Sequence, residues 1–194
     1  MNVQCDFRVT DLKQFAYCPR IPFYQHVMGF HGQPTYKMSQ GQTAQDAIES
    51  LEKRRKFREY GLSEGERHFG VSLHARRWNL IGKMDLLIET PDACYPVDFK
   101  YTTGRPRHNH LVQLAGYALL IAEHFAKPAP AGFIFIITDD LTFRFAMTET
   151  LLAEARAALE SMDAMITRER FPDPTAVRSR CTDCEYRNFC ADVF

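Results

Sequence analysis

The sequence predicts an α/β fold in which helices cover a mixed β-sheet. Segments with strand-like and helix-like patterns alternate along its 194 residues. Their order is helix, three strands, helix, two strands, helix and a cysteine-containing tail. Hydrophobic residues make up 45% of the chain, which is enough to bury one core. The whole chain, 1–194, is therefore expected to form a single domain.

A first helix is predicted to begin at Thr10-Asp11, because both residue types favour helix starts. Its short apolar stripe consists of Leu12, Phe15 and Ala16. Pro19 and Pro22 are expected to interrupt this helix, since proline lacks the N–H that a helix interior needs. A second, charge-rich helix is predicted over about 39–59, and it ends at Gly61.

Three β-like segments follow, and all are rich in β-branched and aromatic residues. They are ERHFGVSL (66–73), WNLIGKMDLLIE (78–89) and CYPVDFKYT (94–102). Turn-forming residues occur within or between them, at Gly82 and at Pro91-Asp92. The pattern predicts an antiparallel meander of three strands.

The second half of the chain predicts two helices around a strand pair. Apolar residues recur at helical spacing in 108–125. A continuous apolar run at 131–138 predicts a buried strand, and the alternating segment 141–147 is expected to pair with it. Thr148 then begins a last helix that extends to about 168. The expected inner face of that helix consists of Leu151, Leu152, Ala155, Leu159 and Met162.

Charge and hydropathy exclude several classes of protein. Lys and Arg together number 24, as do Asp and Glu, so the net charge is zero. Binding of nucleic acid therefore requires a local basic patch rather than a field of the whole molecule. The start of the chain has no apolar segment of signal-peptide length, and no apolar run approaches the ~18 residues of a membrane span. We expect a cytoplasmic protein whose six cysteines serve as thiols and metal ligands.

Charged residues interrupt two of the predicted core strands. Asp98 and Lys100 alternate on one strand and so share a face, and Asp85 lies on the preceding strand. If the two strands pair, the two carboxylates form a site for Mg²⁺ or Mn²⁺ beside a lysine. That lysine would hold an attacking water or neutralise charge that develops on a phosphate. The alternative is an ordinary half-exposed strand.

Gln113 and Tyr117 stand four residues apart, on one face of the predicted helix over 108–125. Both have polar tips that can orient a carboxylate or a nucleic-acid backbone. The alternative is a helix edge from which the tyrosine reaches into water.

The tail contains a C-x2-C-x5-C run formed by Cys181, Cys184 and Cys190. Cysteine-rich metal sites normally have four protein ligands, so one is missing from the run. The other cysteines are Cys5, Cys18 and Cys94. Cys94 lies in a predicted core strand and is expected to be a small buried hydrophobe. Cys18 is our choice, because the prolines around it end the first helix and present its side chain; Cys5 is the second choice. Spacing alone leaves zinc and an iron–sulfur cluster both open.

Several of these motifs occur together in a known family. GKMD (82–85), VDFKY (97–101) and QLAGY (113–117) resemble the G-x-x-D, (D/E)-x-K and Q-x-x-x-Y motifs of RecB-like nucleases in the PD-(D/E)XK superfamily. With YCPRIPFY (17–24) and the three terminal cysteines, the whole chain resembles the CRISPR-associated RecB-like exonuclease family (Cas-four).

The resemblance implies a RecB-like nuclease core and a set of roles for the motif residues. Asp85 and Asp98 would bind a catalytic Mn²⁺ or Mg²⁺, Lys100 would assist the water or the scissile phosphate, and Gln113 and Tyr117 would complete the site. Segments of about 10–25 and 178–194 would join through a cluster. Its ligands would be Cys18, Cys181, Cys184 and Cys190, with [4Fe-4S] favoured over [2Fe-2S] or zinc.

The implied activity is that of a divalent-metal-dependent DNA exonuclease. It would trim the ends or overhangs of prespacer DNA and help to select the PAM, together with the CRISPR integrase complex. Two alternatives remain. One is a catalytically weak module that binds DNA ends or the PAM; the other is a zinc-bound structural adaptor.

The chain departs from the family at one metal ligand. The family carries a histidine in a G-x-x-x-H motif before the strands, whereas GQTAQDAIES (41–50) has Gln45 at that position. A glutamine oxygen binds a hard cation weakly, and Asp46 or Glu49 is an alternative ligand. We therefore expect weaker metal binding or slower cleavage, unless the register of this motif is different.

DNA contacts are expected from two basic stretches, KRRKFR (53–58) and GRPRHNH (104–110). The second lies between the D-x-K strand and the helix with Gln113, so it would flank the site. Arg105, Arg107 and His108 are its candidate phosphate ligands. The first stretch is also explained as a solvated helix face.

Overall fold

A computed structural model of the chain describes residues 6–30, 50–182 and 184–190. It contains a mixed sheet of six strands, in agreement with the predicted α/β class. The strands are β1 (Phe7–Arg8), β2 (Glu66–Ala75), β3 (Leu80–Glu89), β4 (Cys94–Lys100), β5 (Ala131–Ile136) and β6 (Leu141–Ala146). The helices are α1 (Val9–Tyr17), α2 (Arg20–His26), α3 (His108–His124) and α4 (Glu149–Thr167). α1, α3 and α4 cover one face of the sheet, and α2 packs against α1 and α4.

The predicted meander and strand pair are both confirmed. β2 pairs with β3 and β3 with β4, in each case antiparallel. β5 lies parallel to β4 because α3 crosses over between them, and β6 returns antiparallel to β5. Thr148 caps α4 as predicted, since its hydroxyl accepts the N–H of Leu151.

The first third of the chain differs from the prediction in two respects. Pro22 does not break the structure, because it lies in the first turn of α2, where the N–H of a residue has no helical partner. β1 was not predicted, because two residues are too short to show alternation. The predicted helix over 39–59 falls partly on 31–49, outside the described residues. Residues 50–52 are helical, and a turn and a short 3-10 helix (Phe57–Tyr60) follow and stop at Gly61 (φ 68°).

Two apolar cores lie on opposite faces of the sheet. The larger one joins the sheet to α1, α3 and α4. The smaller one is covered by residues 57–62 and contains Tyr60, Leu86, Val97, Phe99 and Phe133. Because side chains alternate along β4, Asp98 lies on the face opposite Val97 and Phe99, which is the face that α3 covers.

One edge of β3 is shared by two strands that leave a gap between them. β1 pairs with β3 at Leu80 and Ile81, and β4 pairs with it over 86–89. Among the described strands, none pairs with 82–85 along this edge. Asp85 is in the gap, and β2 has Gly70 opposite it with a left-handed backbone (φ 61°). The interrupted ladder at this point leaves room for polar side chains within the sheet.

Candidate active site

Asp98 and Lys100 form the charged centre of the site on β4. The Asp98 side chain is almost fully buried, and its Oδ2 lies 2.5 Å from Nζ of Lys100. This is an ion pair without hydrogen-bond geometry, because Oδ2 accepts no hydrogen bond from a described residue. A buried carboxylate oxygen that accepts no hydrogen bond is available to a further ligand.

Gln113 connects this ion pair to α3. Its Oε1 accepts from Nζ of Lys100 (3.1 Å), and its Nε2 donates to Oδ1 of Asp98 (3.1 Å). Nε2 also donates to the hydroxyl of Tyr117 (3.3 Å), which donates to the carbonyl of Lys83 (3.1 Å). The four predicted residues on β4 and α3 thus form one hydrogen-bonded network.

The alternative of a helix edge open to water is wrong for Gln113 and Tyr117, which expose only 2% and 3% of their surface. Burial, with the charges of Asp98 and Asp85, holds the pKa of Tyr117 well above its ordinary value. Tyr117 therefore keeps its proton and acts as a hydrogen-bond donor.

Asp85 reaches the same site from β3. Its Oδ2 accepts the backbone N–H of Phe99 (2.8 Å), at the point where the ladder between β3 and β4 has ended. The carboxylate thereby replaces a strand-to-strand hydrogen bond and lies beside the backbone of the D-F-K motif. The sequence-based expectation that pairing of the two strands brings Asp85 next to Asp98 and Lys100 agrees with this placement.

The donor set fits a divalent cation in part. The Asp85 carboxylate binds the backbone next to Asp98, and one Asp98 oxygen accepts no hydrogen bond from a described residue. Hard oxygen donors of this kind suit Mg²⁺ or Mn²⁺. Within 6–30, 50–182 and 184–190, no three His, Cys, Asp or Glu side chains are grouped as a metal site. Gln45, with its alternatives Asp46 and Glu49, lies outside the described residues.

Two further titratable side chains lie near these strands: Lys13, which the sequence analysis did not single out, and His110, which belongs to the basic stretch 104–110. Lys13 on α1 has its pKa lowered to about 8 by burial and then by Lys100. His110 on α3 has its pKa lowered to about 4 by the same two causes, in the same order. The apolar stripe of α1 predicted a helix but gave no indication that its polar side packs beside the acidic strands.

The four predicted cluster cysteines line one cavity. Cys18, Cys181, Cys184 and Cys190 surround it, together with aromatic residues that include Tyr24 and Tyr186. All four are free thiols, and a guanidinium nitrogen of Arg20 donates to Sγ of Cys190 (3.2 Å). Thiol sulfurs are soft donors of the kind that bind zinc or an iron–sulfur cluster, although no three of the described side chains are grouped closely enough for a metal site.

Cys94 lies apart from this cavity, at the start of β4. It is completely buried in the larger core, and burial raises the pKa of its thiol to about 11. It is the small buried hydrophobe that the sequence predicts. Cys5, the second choice for the fourth ligand, lies outside the described residues.

The tail also caps the end of α1. A guanidinium nitrogen of Arg180 donates to the carbonyls of Ala16 (3.1 Å) and Tyr17 (2.7 Å), and the hydroxyl of Tyr17 donates to the carbonyl of Arg180 (2.9 Å). These bonds satisfy carbonyls that the helix end leaves free. The cysteine-containing tail is therefore joined to α1 by polar contacts as well as by the shared cavity.

The predicted DNA-binding residues lie on the surface before and at the start of α3. Arg105, Arg107 and His108 are all exposed. His108 is in contact with Glu154 of α4, with 2.6 Å between Nε2 and Oε1. In the other basic stretch, Arg55 is half-buried and forms ion pairs with Glu52, Glu59 and Asp140. The interpretation of that stretch as a purely solvated helix face is therefore wrong for Arg55.

The buried D-x-K pair, the second aspartate and the helical Gln and Tyr lie close together on an α/β fold. The comparison with protein families agrees, because residues 41–191 match the model of the PD-(D/E)XK nuclease superfamily.

A CRISPR-associated exonuclease Cas4 from Francisella tularensis subsp. novicida is 33% identical to this chain, over 95% of the chain and 93% of the relative. A second Cas4 exonuclease, from Aeropyrum pernix, is 25% identical over 94% and 93%. The chain belongs to the Cas4 exonuclease family of PD-(D/E)XK nucleases, and the prediction of an exonuclease is confirmed.

A solved structure shares the fold. The alkaline exonuclease of Laribacter hongkongensis superimposes with a TM-score of 0.55 at 12% identity, over 84% of this chain and 89% of that one. In the part of the chain that the structure describes, no helix has the length and apolar character needed to cross a membrane.

Proposed function

We propose that this protein is a divalent-metal-dependent DNA nuclease of CRISPR adaptation, with its active site at Asp85, Asp98, Lys100, Gln113 and Tyr117. The network that joins Asp98, Lys100 and Gln113 on the helix-covered face of the sheet is the observation that carries the proposal. Burying an aspartate and a lysine inside a core is costly, and such a pair is retained where it has a use.

Asp85 and Asp98 would hold Mn²⁺ or Mg²⁺, with a third ligand from Gln45 or a neighbour. When bound, the cation supplies charge stabilisation to a phosphate and lowers the pKa of a water. Lys100 carries the positive charge next to that position, where it would orient the water or neutralise the phosphate. Gln113 fixes the Lys100 ammonium and the Asp98 carboxylate relative to each other, and Tyr117 fixes the amide of Gln113.

The four cysteines around the tail cavity are proposed to hold a [4Fe-4S] cluster. Its role would be structural, because the bound group would link Cys18 at the end of α1 to the tail and so add its binding free energy to folding. The donation from Arg20 to Cys190 suits a sulfur that carries negative charge. [2Fe-2S] and zinc use the same donors and are the alternatives.

The substrate is proposed to be the single-stranded end or overhang of a prespacer DNA. The exposed Arg105, Arg107 and His108 would contact its phosphates. Trimming of these ends, PAM selection and partnership with the CRISPR integrase complex rest on membership in a family whose relatives are named CRISPR-associated exonucleases.

The test is cleavage of end-labelled single-stranded and overhang DNA by the full chain, with added Mn²⁺ or Mg²⁺ and without divalent metal. We expect metal-dependent cleavage by the wild type. The variant Lys100→Ala should lose at least ~100-fold in rate, because one preorganised charge at a transition state contributes about 3 to 4 kcal/mol. The control variant is Lys127→Gln. It also removes a lysine charge, but Lys127 pairs with Glu89 at the end of β3, away from the proposed site, so this variant should retain activity.

If the wild type cleaves none of these DNAs with any divalent metal, the nuclease proposal fails. DNA binding without cleavage, unchanged in Lys100→Ala, would instead establish the binding-module alternative that Gln45 motivates.

A further inference from the structure

Lys13 is a half-buried lysine on the polar side of α1. Its ammonium group makes no hydrogen bond or ion pair with any residue in 6–30, 50–182 or 184–190. A half-buried charge without a direct partner is unfavourable, because it loses hydration and gains no compensating contact. Such a charge is expected where an anionic ligand supplies the contact.

The position of Lys13 is set by the close packing of α1 on α3. A Cβ added to Gly116 would lie 2.7 Å from Cδ1 of Leu12 and 3.1 Å from Cγ1 of Val9. Gly116 lies between Gln113 and Tyr117 on α3, so the two helices approach each other at the turn that holds the active-site network. Lys13 lies one helical turn after Val9 on the same side of α1 and is therefore held near that turn.

Charges of both active-site strands act on Lys13. Lys100 lowers its pKa, while Asp98, Glu185 and Asp85 raise it. Lys100, Asp98 and Lys13 also act on the pKa of His110 on α3, so the same charges influence both helices. Asp98, Asp85 and Glu185 carry three negative charges against two positive charges on Lys13 and Lys100, so a bound divalent cation would make the sum +1. A centre with that charge is complementary to the phosphodiester backbone of DNA.

We propose that Lys13 is a phosphate-binding residue of the nuclease site, and that it contacts a DNA phosphate next to the scissile one. This inference rests on the proposed nuclease function and adds to it a substrate contact from the N-terminal helix. The competing explanation is a purely structural role, in which the charge of Lys13 stabilises Glu185 and thereby the cysteine-containing tail. The two explanations differ in what the lysine does to the salt dependence of DNA binding.

The experiment measures the affinity of the full-length protein for a fluorescent single-stranded oligonucleotide, over a range of salt concentrations and with no added divalent cation. The variants are Lys13→Gln, Lys13→Met and Lys13→Arg. Lys13→Met keeps the apolar packing of the lysine stem, so a loss of affinity in this variant reports the missing charge and not a folding defect. We expect Lys13→Gln and Lys13→Met to bind about tenfold more weakly. The slope of log K against log salt should fall by about 0.7, the value for one phosphate contact on a single strand.

Lys13→Arg should restore most of the affinity, because it keeps the positive charge. Lys127→Gln, which loses the same charge far from the site, should bind and respond to salt as the wild type does. In cleavage with Mn²⁺, we expect KM to rise in Lys13→Gln while kcat stays near the wild-type value, since the contact is present both before and in the transition state.

An unchanged affinity and salt slope in Lys13→Gln, with a wild type that binds and cleaves DNA, overturns this inference alone. Loss of iron or of thermal stability with an unchanged salt slope also overturns it, in favour of the structural role. A wild type that neither binds nor cleaves DNA overturns the proposed function, and this inference falls with it.

Discussion

The side-chain amide of Gln113 is oriented by three hydrogen bonds, and this orientation defines the charges around it. Its oxygen accepts from the ammonium of Lys100, and its nitrogen donates to the carboxylate of Asp98 and to the hydroxyl of Tyr117. The reversed amide would set N–H groups against an ammonium and an oxygen against a carboxylate. Only one orientation is compatible with these partners.

At the same scale, His110 predicts a pH dependence of stability. The native state keeps this imidazole neutral down to about pH 4, whereas the unfolded chain takes up a proton near 6.5. The unfolded state therefore binds more protons between these values, and the free energy of unfolding falls as the pH drops from 6.5 to 4. We expect His110 to account for roughly 2 kcal/mol of this loss, allowing for its residual exposure.

The measurement is urea unfolding at pH 7 and pH 4.5. His110→Gln should lose less stability than the wild type between the two pH values. His124→Gln, an exposed histidine at the other end of α3, serves as the control and should retain the wild-type profile. An equal loss in wild type and His110→Gln would contradict the prediction.

At the scale of elements, the position of α1 depends on two glycines that admit its side chains. Gly116 on α3 lies against Leu12, and Gly82 on β3 lies against Val9, with 2.7 Å between each apolar carbon and a Cβ built on the glycine. Val9 and Leu12 can approach this closely only because neither glycine has a side chain. This contact brings the N-terminal helix, and Lys13 with it, next to the acidic strands.

Gly116→Ala tests that contact. Overpacking by the added methyl is expected to lower the free energy of unfolding by about 1 to 3 kcal/mol. The better helix propensity of alanine raises it by about 1 kcal/mol. We therefore expect a net loss of about 1 kcal/mol in the free energy of unfolding. Leu12→Ala makes room for the methyl, so the double variant should lose less stability than the sum of the single variants. Additive losses in urea denaturation would show that the two residues are not in contact.

Sequence patterns predicted the regular elements of this region well and its contacts poorly. β2, β3, β4 and α3 follow from β-branched content, alternation and helical spacing, which are local properties. The gap between β1 and β4 along β3 was not predictable, because it arises from two strands that share one edge. Gln113 and Tyr117 were found through a motif in the sequence. Their burial became apparent only from the structure, in which α1 packs on α3.

At the scale of the whole molecule, the cysteine cavity joins residues near the two ends of the chain. Cys18 ends α1, and the other three cysteines belong to the tail, which also caps α1 through Arg180. Glu185 in the same tail raises the pKa of Lys13 on α1, so the charge of the tail acts on this helix as well. A group bound by the four thiols would thus stabilise the helix that contributes to the active site.

We predict that protein purified without oxygen contains iron and sulfide and absorbs visible light. Cys18→Ala should lose both the iron and the absorbance, and its unfolding free energy should fall by several kcal/mol, on the order expected for loss of a structural metal. Cys94→Ala is the matched control, because Cys94 is also buried but lies in the apolar core, and it should keep its iron. Cys5→Ala should keep its iron as well.

A colourless protein with stoichiometric zinc and no iron would contradict the cluster and support the zinc-bound site. Retention of iron in Cys18→Ala with loss in Cys5→Ala would reassign the fourth ligand.

The sequence by itself determined the α/β class, the elements between 66 and 168, and the identity of the D-x-K, Gln and Tyr motif. These follow from local periodicity and from residue chemistry, which a linear chain carries in full. Only the tertiary structure decided that Asp98 is buried with one oxygen free of hydrogen bonds, that four cysteines share a cavity, and that Lys13 joins the charged centre. Such relations depend on which side chains meet across distant elements, and spacing along the chain does not encode them.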